Sequence, residues 1–337
     1  MKKIKIAQIG TSKNSHGNQI WRSLNKLTDC FEVVGYAFPE NEREKFPKQA
    51  EAFAGYREMT VEEILSDPEI EAVAVETEEI YLTKYALMVA QAGKQLHMEK
   101  PGSPDHTEFC RLVELLRSKG LVFSTGYMYR FNPLVREAIE KVRRGELGQI
   151  FSVEAQMNCK HTPDIREWLS ELPSGMLYFL GCHLIDLVLQ IQGEPTEVLP
   201  LSCSTGIGGI GSTDFGMAVL KYPNGVSFVK TCDNECGGMI RRQLVISGEK
   251  GTIEIKPLEV PISGKGQYTA VAESYDDSGL NWGAPWSTRQ TDLFDRYDGM
   301  MKNFAELVRG KENPYSYDYE IKLHELLLKC CGKDADK

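Results

Sequence analysis

Residues 95–101 read Gln-Leu-His-Met-Glu-Lys-Pro, and the fold of the whole chain is read outward from them. A helical pattern ends at Gly93, a short apolar-edged run follows, and Glu99-Lys100-Pro101 closes it. A lysine so placed stands at the carboxyl end of a strand, where open α/β sheets bind their ligands. Pro101 cannot donate a backbone hydrogen bond. Its bond to Lys100 has a raised chance of being cis, which would point the lysine head in one direction. The plainer reading of the tripeptide alone is a surface lysine in a turn, and the rest of the chain decides between the two.

Upstream, strands and helices alternate. Residues 4–9 form a β-rich run ending at Gly10, and residues 18–28 carry Ile20, Leu24 and Leu27 at helical spacing. Strand, glycine, polar loop and helix open a dinucleotide-binding βαβ unit. A G-x-G-x-x-G fingerprint from Gly10 would need glycines where Ser12 and Ser15 stand. The loop Gly10-Thr11-Ser12-Lys13-Asn14-Ser15-His16-Gly17 is nevertheless rich in donors that suit a phosphate at a helix N-terminus. Residues 31–37 are the second strand. Its tip is Phe38 where a ribose-binding acid is expected, with Glu40 two residues on. Arg43 and Lys45 are read as solvated helix charges in preference to ligands of a 2′-phosphate. A short helix over 61–65, a buried strand over 72–75, helices over 81–92 and 105–119, and a strand over 121–124 complete a doubly wound parallel sheet.

Beyond Gly126 the pattern changes. Tyr127 to Pro133 is an aromatic link into a helix running to about Arg144, and residues 150–157 alternate as a half-exposed strand. A polar loop with His161, Asp164, Arg166 and Trp168 follows. Residues 175–192 are apolar nearly all round, so they form one buried helix, and its His183 and Asp186 are three residues apart. A buried histidine with a carboxylate nearby is a general acid/base candidate. Strands over 197–203, 214–221, 226–232, 241–247 and 252–256 imply a mostly antiparallel open sheet. Tyr222-Pro223-Asn224-Gly225 is its hairpin turn, with Asn-Gly at positive φ. Helices return at about 291–309 and 318–331. The expected architecture is α/β: a Rossmann domain over residues 1–125 and an α/β domain over 126–337, whose C-terminal helices return to the first domain.

The totals fit two domains of ordinary size. Of 337 residues, 42% are hydrophobic, and the net charge of −9 disfavours nucleic acid and anionic membranes as partners. No apolar run reaches bilayer length, and Met1 leads into strand pattern without an apolar leader. The nine cysteines have no framework spacing and are read as reduced thiols of a cytoplasmic protein. No cluster has metal-ligand spacing, so no metal is expected.

Several segments resemble the Gfo/Idh/MocA oxidoreductases, the family of glucose–fructose oxidoreductase and inositol dehydrogenase, over nearly the whole length. They are A-G-K-Q-L-H-M-E-K-P (92–101), Y-R-F-N-P (129–133), W-L-S-E-L-P-S-G (168–175), G-C-H-L-I-D (181–186) and I-S-G-E-K-G-T-I (246–253). The resemblance implies NAD or NADP as cofactor and a sugar, polyol or similar hydroxylated molecule as substrate. The free face of the second-domain sheet suggests a homo-oligomer assembled through it. Lys100 and His183 would be catalytic: the lysine meets the substrate hydroxyl, and the histidine takes its proton. Gly10, Thr11, Ser12, Ser15, His16, Phe38, Thr77, Glu78, Glu99, Lys100 and Trp168 would lie along the cofactor. Tyr129, Arg130, His161, Arg166 and Asp186 would line the substrate. The chain also departs from the family pattern. Phe179 stands where many members have Asp four residues before the histidine. Thr77-Glu78-Glu79 with Leu82 replaces T-P-N with a histidine three residues later, and Leu169 follows Trp168 in place of Arg. A noncatalytic sugar- or nucleotide-binding or regulatory relative on the same scaffold is the alternative, since fold does not carry function by itself.

Overall fold

The computed structural model describes residues 2–276 and 284–333. The chain divides into two compact units, one of Met1–Met128 with Tyr297–His324, the other of Tyr129–Arg296 with Glu325–Lys337.

In the first unit five parallel strands, β1 (Ile4–Ile9), β2 (Phe31–Ala37), β3 (Ala72–Val75), β4 (Gln95–Met98) and β5 (Phe123–Thr125), lie in the order β2-β1-β3-β4-β5. The strand order reverses between β1 and β3, which opens a crevice at their carboxyl ends. β3 is buried throughout, as a central parallel strand must be. Its helices are closed by local chemistry. Thr60 and Glu63 form a reciprocal capping box on Val61–Ser66, and Asp105 accepts the Glu108 N–H at 2.9 Å to start His106–Lys119. The helix after β3 is Leu82–Gln91, preceded by a 3₁₀ turn at Glu79–Tyr81. The Asp298–Val308 helix belongs to this unit, with Ser23 Oγ donating to Asp298 Oδ1 at 2.8 Å.

The second unit holds β6 (Ile150–Asn158), β7 (Glu197–Pro200), β8 (Phe215–Tyr222), β9 (Gly225–Cys232), β10 (Gln243–Gly248) and β11 (Gly251–Ile255). The short strands β12 (Val260–Ile262), β13 (Gly266–Tyr268), β14 (Ala270–Tyr275) and β15 (Ser287–Gln290) follow. Eight of them form one sheet in the order β15-β14-β11-β10-β6-β9-β8-β7, and β12 pairs with β13 apart from it. All pairings in the large sheet are antiparallel except β6 with β9, which run parallel. The fold is thus an α/β Rossmann unit followed by a unit with an open, mostly antiparallel sheet. The apolar Cys182–Gln192 helix packs on β6 and β9.

Four local readings are corrected. The segment with Asp164, Arg166 and Trp168 is not a loop: Pro163 opens a helix to Leu169, with the preset φ of proline at its first position. The helix through His183 is not one regular α-helix, because Leu177–Gly181 is a π-turn and the α-helix proper begins at Cys182. The strands beyond residue 256 escaped the periodicity: β12 and β13 have three residues each and β15 is exposed along its length, while β14, with no exposed residue, lies between β11 and β15. In the β8–β9 hairpin, Tyr222 faces Gly225 across the two-residue turn Pro223-Asn224, and neither Asn224 nor Gly225 has positive φ. Gly225 is needed for another reason: a Cβ there would lie 1.9 Å from the Phe151 carbonyl oxygen on β6.

Candidate functional site

The first unit gathers its polar residues at the carboxyl ends of the sheet. Gly10 has φ +89°, and a Cβ on it would come within 2.5 Å of Thr77 Cγ2, so only glycine lets the two loops meet. Gln8 is wholly buried beneath them. Its Nε2 donates to the carbonyls of Gly10 (3.0 Å) and Gly17 (2.9 Å), clamping both ends of the loop. Within that clamp Thr11 Oγ1, Ser12 Oγ and Ser15 Oγ are buried and lack a hydrogen-bond partner. Buried hydroxyls are seldom left unsatisfied, so this cradle is built for an acceptor-rich ligand. His16 stands at the N-cap of Gly17–Lys26, its Nδ1 3.2 Å from Gln19 Nε2.

The tip of β2 differs from the expectation. Phe38 is held in an aromatic group with Tyr36 (4.7 Å) and Phe53 (4.9 Å), and the Arg43 guanidinium lies over its ring at 5.3 Å. Arg43 also donates to Glu58 and to the Tyr36 hydroxyl, while Lys45 pairs with Glu78 at 3.1 Å. Glu40 accepts from Lys84 and from the Tyr85 hydroxyl. The acid that reaches the glycine loop is Glu42, two residues further on. Its Oε2 accepts the Thr11 N–H at 3.0 Å. A fixed offset from the strand end hid it in the sequence, because the Glu40-Asn41 pair at positive φ swings the chain back towards the loop.

Lys100 lies two residues past β4 and is 2% exposed, and the Lys100–Pro101 bond is cis. Its Nζ is 3.5 Å from Glu99 Oε1. Gly126 lets Glu99 lie flat, since a Cβ there would stand 2.4 Å from Glu99 Oε2. The two acids after Thr77 part company: Glu78 turns to Lys45, and Glu79 turns inward and is buried. Glu76, unremarked in the sequence, is also fully buried beside them.

In the second unit His183 is 2% exposed, and the Tyr129 ring meets it edge-on at 5.0 Å. Tyr129 is anchored from behind: its hydroxyl donates to Glu259 Oε1 at 2.6 Å. Burial would raise the Glu259 carboxyl, but Arg296 and Arg242 hold it below its ordinary value. Burial and the neighbouring Glu259 carboxylate push the Tyr129 phenol well up. Arg130 and Asp186 are spent on each other, Nε at 3.1 Å from both carboxylate oxygens and Nη2 at 2.8 Å from Oδ1, with Gln190 Nε2 on Oδ2 at 2.9 Å. Arg166 likewise pairs with Asp214 (2.7 Å) and Asp233 (3.3 Å). These arginines and Asp186 shape the unit through fixed ion pairs. His161 is half-buried, and burial with the nearby Arg242 lowers its pKa. Trp168 stands edge-on to Phe179 at 5.1 Å.

Sequence reasoning passed over Asn158, Asp214, Asp233 and Glu259. Asn158 at the end of β6 is wholly buried, and neither end of its amide has a partner. Asp233, just past β9, is wholly buried as well, and burial raises it to about 6 against the pull of Arg166. Only pairing β6 in parallel with β9 brings those two strand ends together.

Two family models match this chain. One, described as an oxidoreductase family with an NAD-binding Rossmann fold, covers residues 4–127, and the other, the GFO/IDH/MocA C-terminal domain, covers 135–254. The chain belongs to the GFO/IDH/MocA family. An uncharacterized oxidoreductase YhhX of Escherichia coli is 31% identical over 139 residues, 41% of this chain and 40% of the relative. Trans-1,2-dihydrobenzene-1,2-diol dehydrogenase of Bos taurus is 26% identical over 215 residues, 60% of this chain and 62% of the relative. These matches span 40% and 62% of the relatives' lengths. A solved levoglucosan dehydrogenase in complex with NADH and levoglucosan superposes with a TM-score of 0.80. It has 18% identity and covers 99% of this chain and 98% of the other, a likeness of fold. Among the described residues no helix is long and apolar enough to cross a membrane, and no His/Cys/Asp/Glu group could hold a metal.

The family's cofactor is NAD or NADP, and the first unit fits it. The partnerless hydroxyls of Thr11, Ser12 and Ser15 would take its phosphates at the start of Gly17–Lys26, with Gly10 giving the close approach.

Proposed function

We propose that this protein is an NAD(P)-dependent oxidoreductase acting on a hydroxyl-bearing carbon of a sugar, polyol or similar small molecule. The observation that carries this reading is the buried, partnerless hydroxyl cradle at Thr11, Ser12 and Ser15, together with a buried lysine at the carboxyl end of β4. Relatives named as a dihydrobenzenediol dehydrogenase, a 1,5-anhydro-D-fructose reductase and a levoglucosan dehydrogenase support the substrate class.

The bound nicotinamide supplies the hydride acceptor. Lys100 steadies the oxygen as it gains charge, and His183 takes the hydroxyl proton at an imidazole nitrogen. Tyr129, fixed by Glu259, holds the imidazole plane. The protein is read as cytoplasmic, in keeping with nine free cysteines, and as a homo-oligomer through the outer face of the large sheet. The second reading, a noncatalytic relative, is favoured by one feature: Phe179 packs an apolar ring on Trp168 where many members carry the acid.

The test is titration with NADH and with NADPH by nicotinamide fluorescence, followed by a screen of sugars and polyols with His183→Ala alongside. Micromolar binding and turnover lost in the variant are expected. Binding without turnover on any substrate selects the second reading, and no binding of either cofactor overturns the first.

A further inference from the structure

Four ionisable side chains are packed at the carboxyl ends of β3 and β4: Glu76, Glu79, Glu99 and Lys100, with exposures of 0%, 1%, 3% and 2%. Three are acids and one is a base. His97 on β4 does not alter the balance. Its Nε2 stands 3.6 Å from Glu76 Oε1, beyond hydrogen-bond length, and its Nδ1 lies 3.2 Å from Ser124 Oγ. Burial holds its imidazole neutral, with a pKa of about 3. Glu78 is turned away to Lys45, and on the β5 side Thr125 Oγ1 donates to Glu320 at 3.1 Å. Both oxygens of Glu76 and both of Glu79 lack a hydrogen-bond partner, although the Glu79 backbone N–H lies alongside its carboxylate. Fully ionised, the four would leave two negative charges uncompensated out of water, which costs more than protonating a carboxylate.

We propose that this buried set holds an exchangeable proton that is released when the oxidised cofactor binds and kept when the reduced one binds. The chain thereby distinguishes the redox state of its cofactor by charge. The inference rests on the cofactor reading above. A dinucleotide lies across the crevice where the strand order reverses. Its phosphates go to the Gly10–Gly17 loop, and Glu76 adjoins that loop, since a Cβ on Gly17 would come within 3.0 Å of Glu76 Cβ. The half beyond the phosphates falls on the β3 and β4 ends. An oxidised nicotinamide ring carries one positive charge and a reduced ring none. A cation beside a protonated carboxyl favours its ionised form, so the proton passes to solvent. Burial raises Glu79 to about 7 and Glu76 well above its ordinary value, with Glu99 adding to the rise and Lys100 opposing it. The titration therefore falls where binding can be measured.

The experiment is calorimetric titration of the full chain with NAD+ and with NADH in buffers of different ionisation enthalpy, repeated across about pH 6–8. NAD+ should release up to about one proton, and its affinity should rise by up to about tenfold per pH unit. NADH should show neither effect. If the chain takes the phosphorylated cofactor, the NADP+/NADPH pair replaces them, and ionisations common to both forms cancel in the difference. Glu79→Gln, with Glu76→Gln as a second isosteric variant, should abolish the difference and keep NADH binding. Equal proton exchange for both forms, or a difference that survives in both variants, overturns the inference and leaves the cofactor reading standing. Absence of binding by either form sinks both.

Discussion

The Glu42 carboxylate accepts the Thr11 backbone N–H at 3.0 Å while no part of Glu42 is exposed. An acid from beyond β2 thus holds the first amide of the glycine loop from inside the protein. Burial raises its pKa to about 8, and the Thr11 and Glu78 N–H groups pull it back only in part. The folded value lies above the ordinary one, so the native state keeps a proton that the unfolded chain gives up above about pH 4.5. The stability tied to it is full below about pH 4.5 and is lost as pH rises towards 8. Glu42→Gln keeps an acceptor and removes the titration. Urea unfolding should show the variant losing less stability than the parent between about pH 5 and 8, by up to ~1.4 kcal/mol per pH unit. Parallel pH profiles would contradict this.

On the acid side the signs reverse. Burial lowers His97 and His324 to about 3 each, and His324 Nε2 is fixed 3.0 Å from the Ser103 carbonyl. Below about pH 6.5 the unfolded chain takes up protons that the native state refuses. Stability should fall on acidification from about 6.5, and His97→Gln should remove up to ~1.4 kcal/mol per pH unit of that slope. The slope is read from unfolding midpoints, and an unchanged slope would refute the assignment.

Arg130 and Asp186 are both buried and joined by three hydrogen bonds. Arg130→Ala leaves the Asp186 charge without its main partner and should cost about 3–5 kcal/mol in denaturant unfolding. A loss below about 1 kcal/mol, the range of a surface pair, would show that the pair is solvated in solution.

Two glycine substitutions should separate cofactor binding from folding. Gly10→Ala adds a Cβ 2.6 Å from the Thr77 amide at φ +89°, and the strain should weaken NADH binding about tenfold or more. Gly225→Ala strikes the Phe151 carbonyl and should destabilise the protein by about 1–3 kcal/mol with NADH affinity unchanged. Fluorescence titration and thermal unfolding of both variants check the pair. Equal effects on binding would contradict the separation.

The sequence by itself determined the alternation of strands and helices, and with it the class of both units. β3 is the clearest case: Ala72–Val75 is apolar and buried throughout, as a central strand covered on both faces must be. The sequence also placed Lys100 past the end of β4, since a strand, a proline and a glycine-capped helix are local signals. Tertiary structure alone decided which polar residues meet. Glu42 reaches Thr11 only because the chain doubles back after Phe38. Gly225 is required by a carbonyl on β6, a strand 67 residues before it by the end of β6 at Asn158. Arg130 is paired with Asp186, and Arg166 with Asp214 and Asp233, and those pairings span long stretches of chain. Of the three acids around Lys100, Glu99 is its chain neighbour, whereas Glu76 and Glu79 come from the loop after β3. Periodicity reports which face of an element is buried. The partner of a buried charge is set by which elements the fold packs side by side, and no local pattern carries that information.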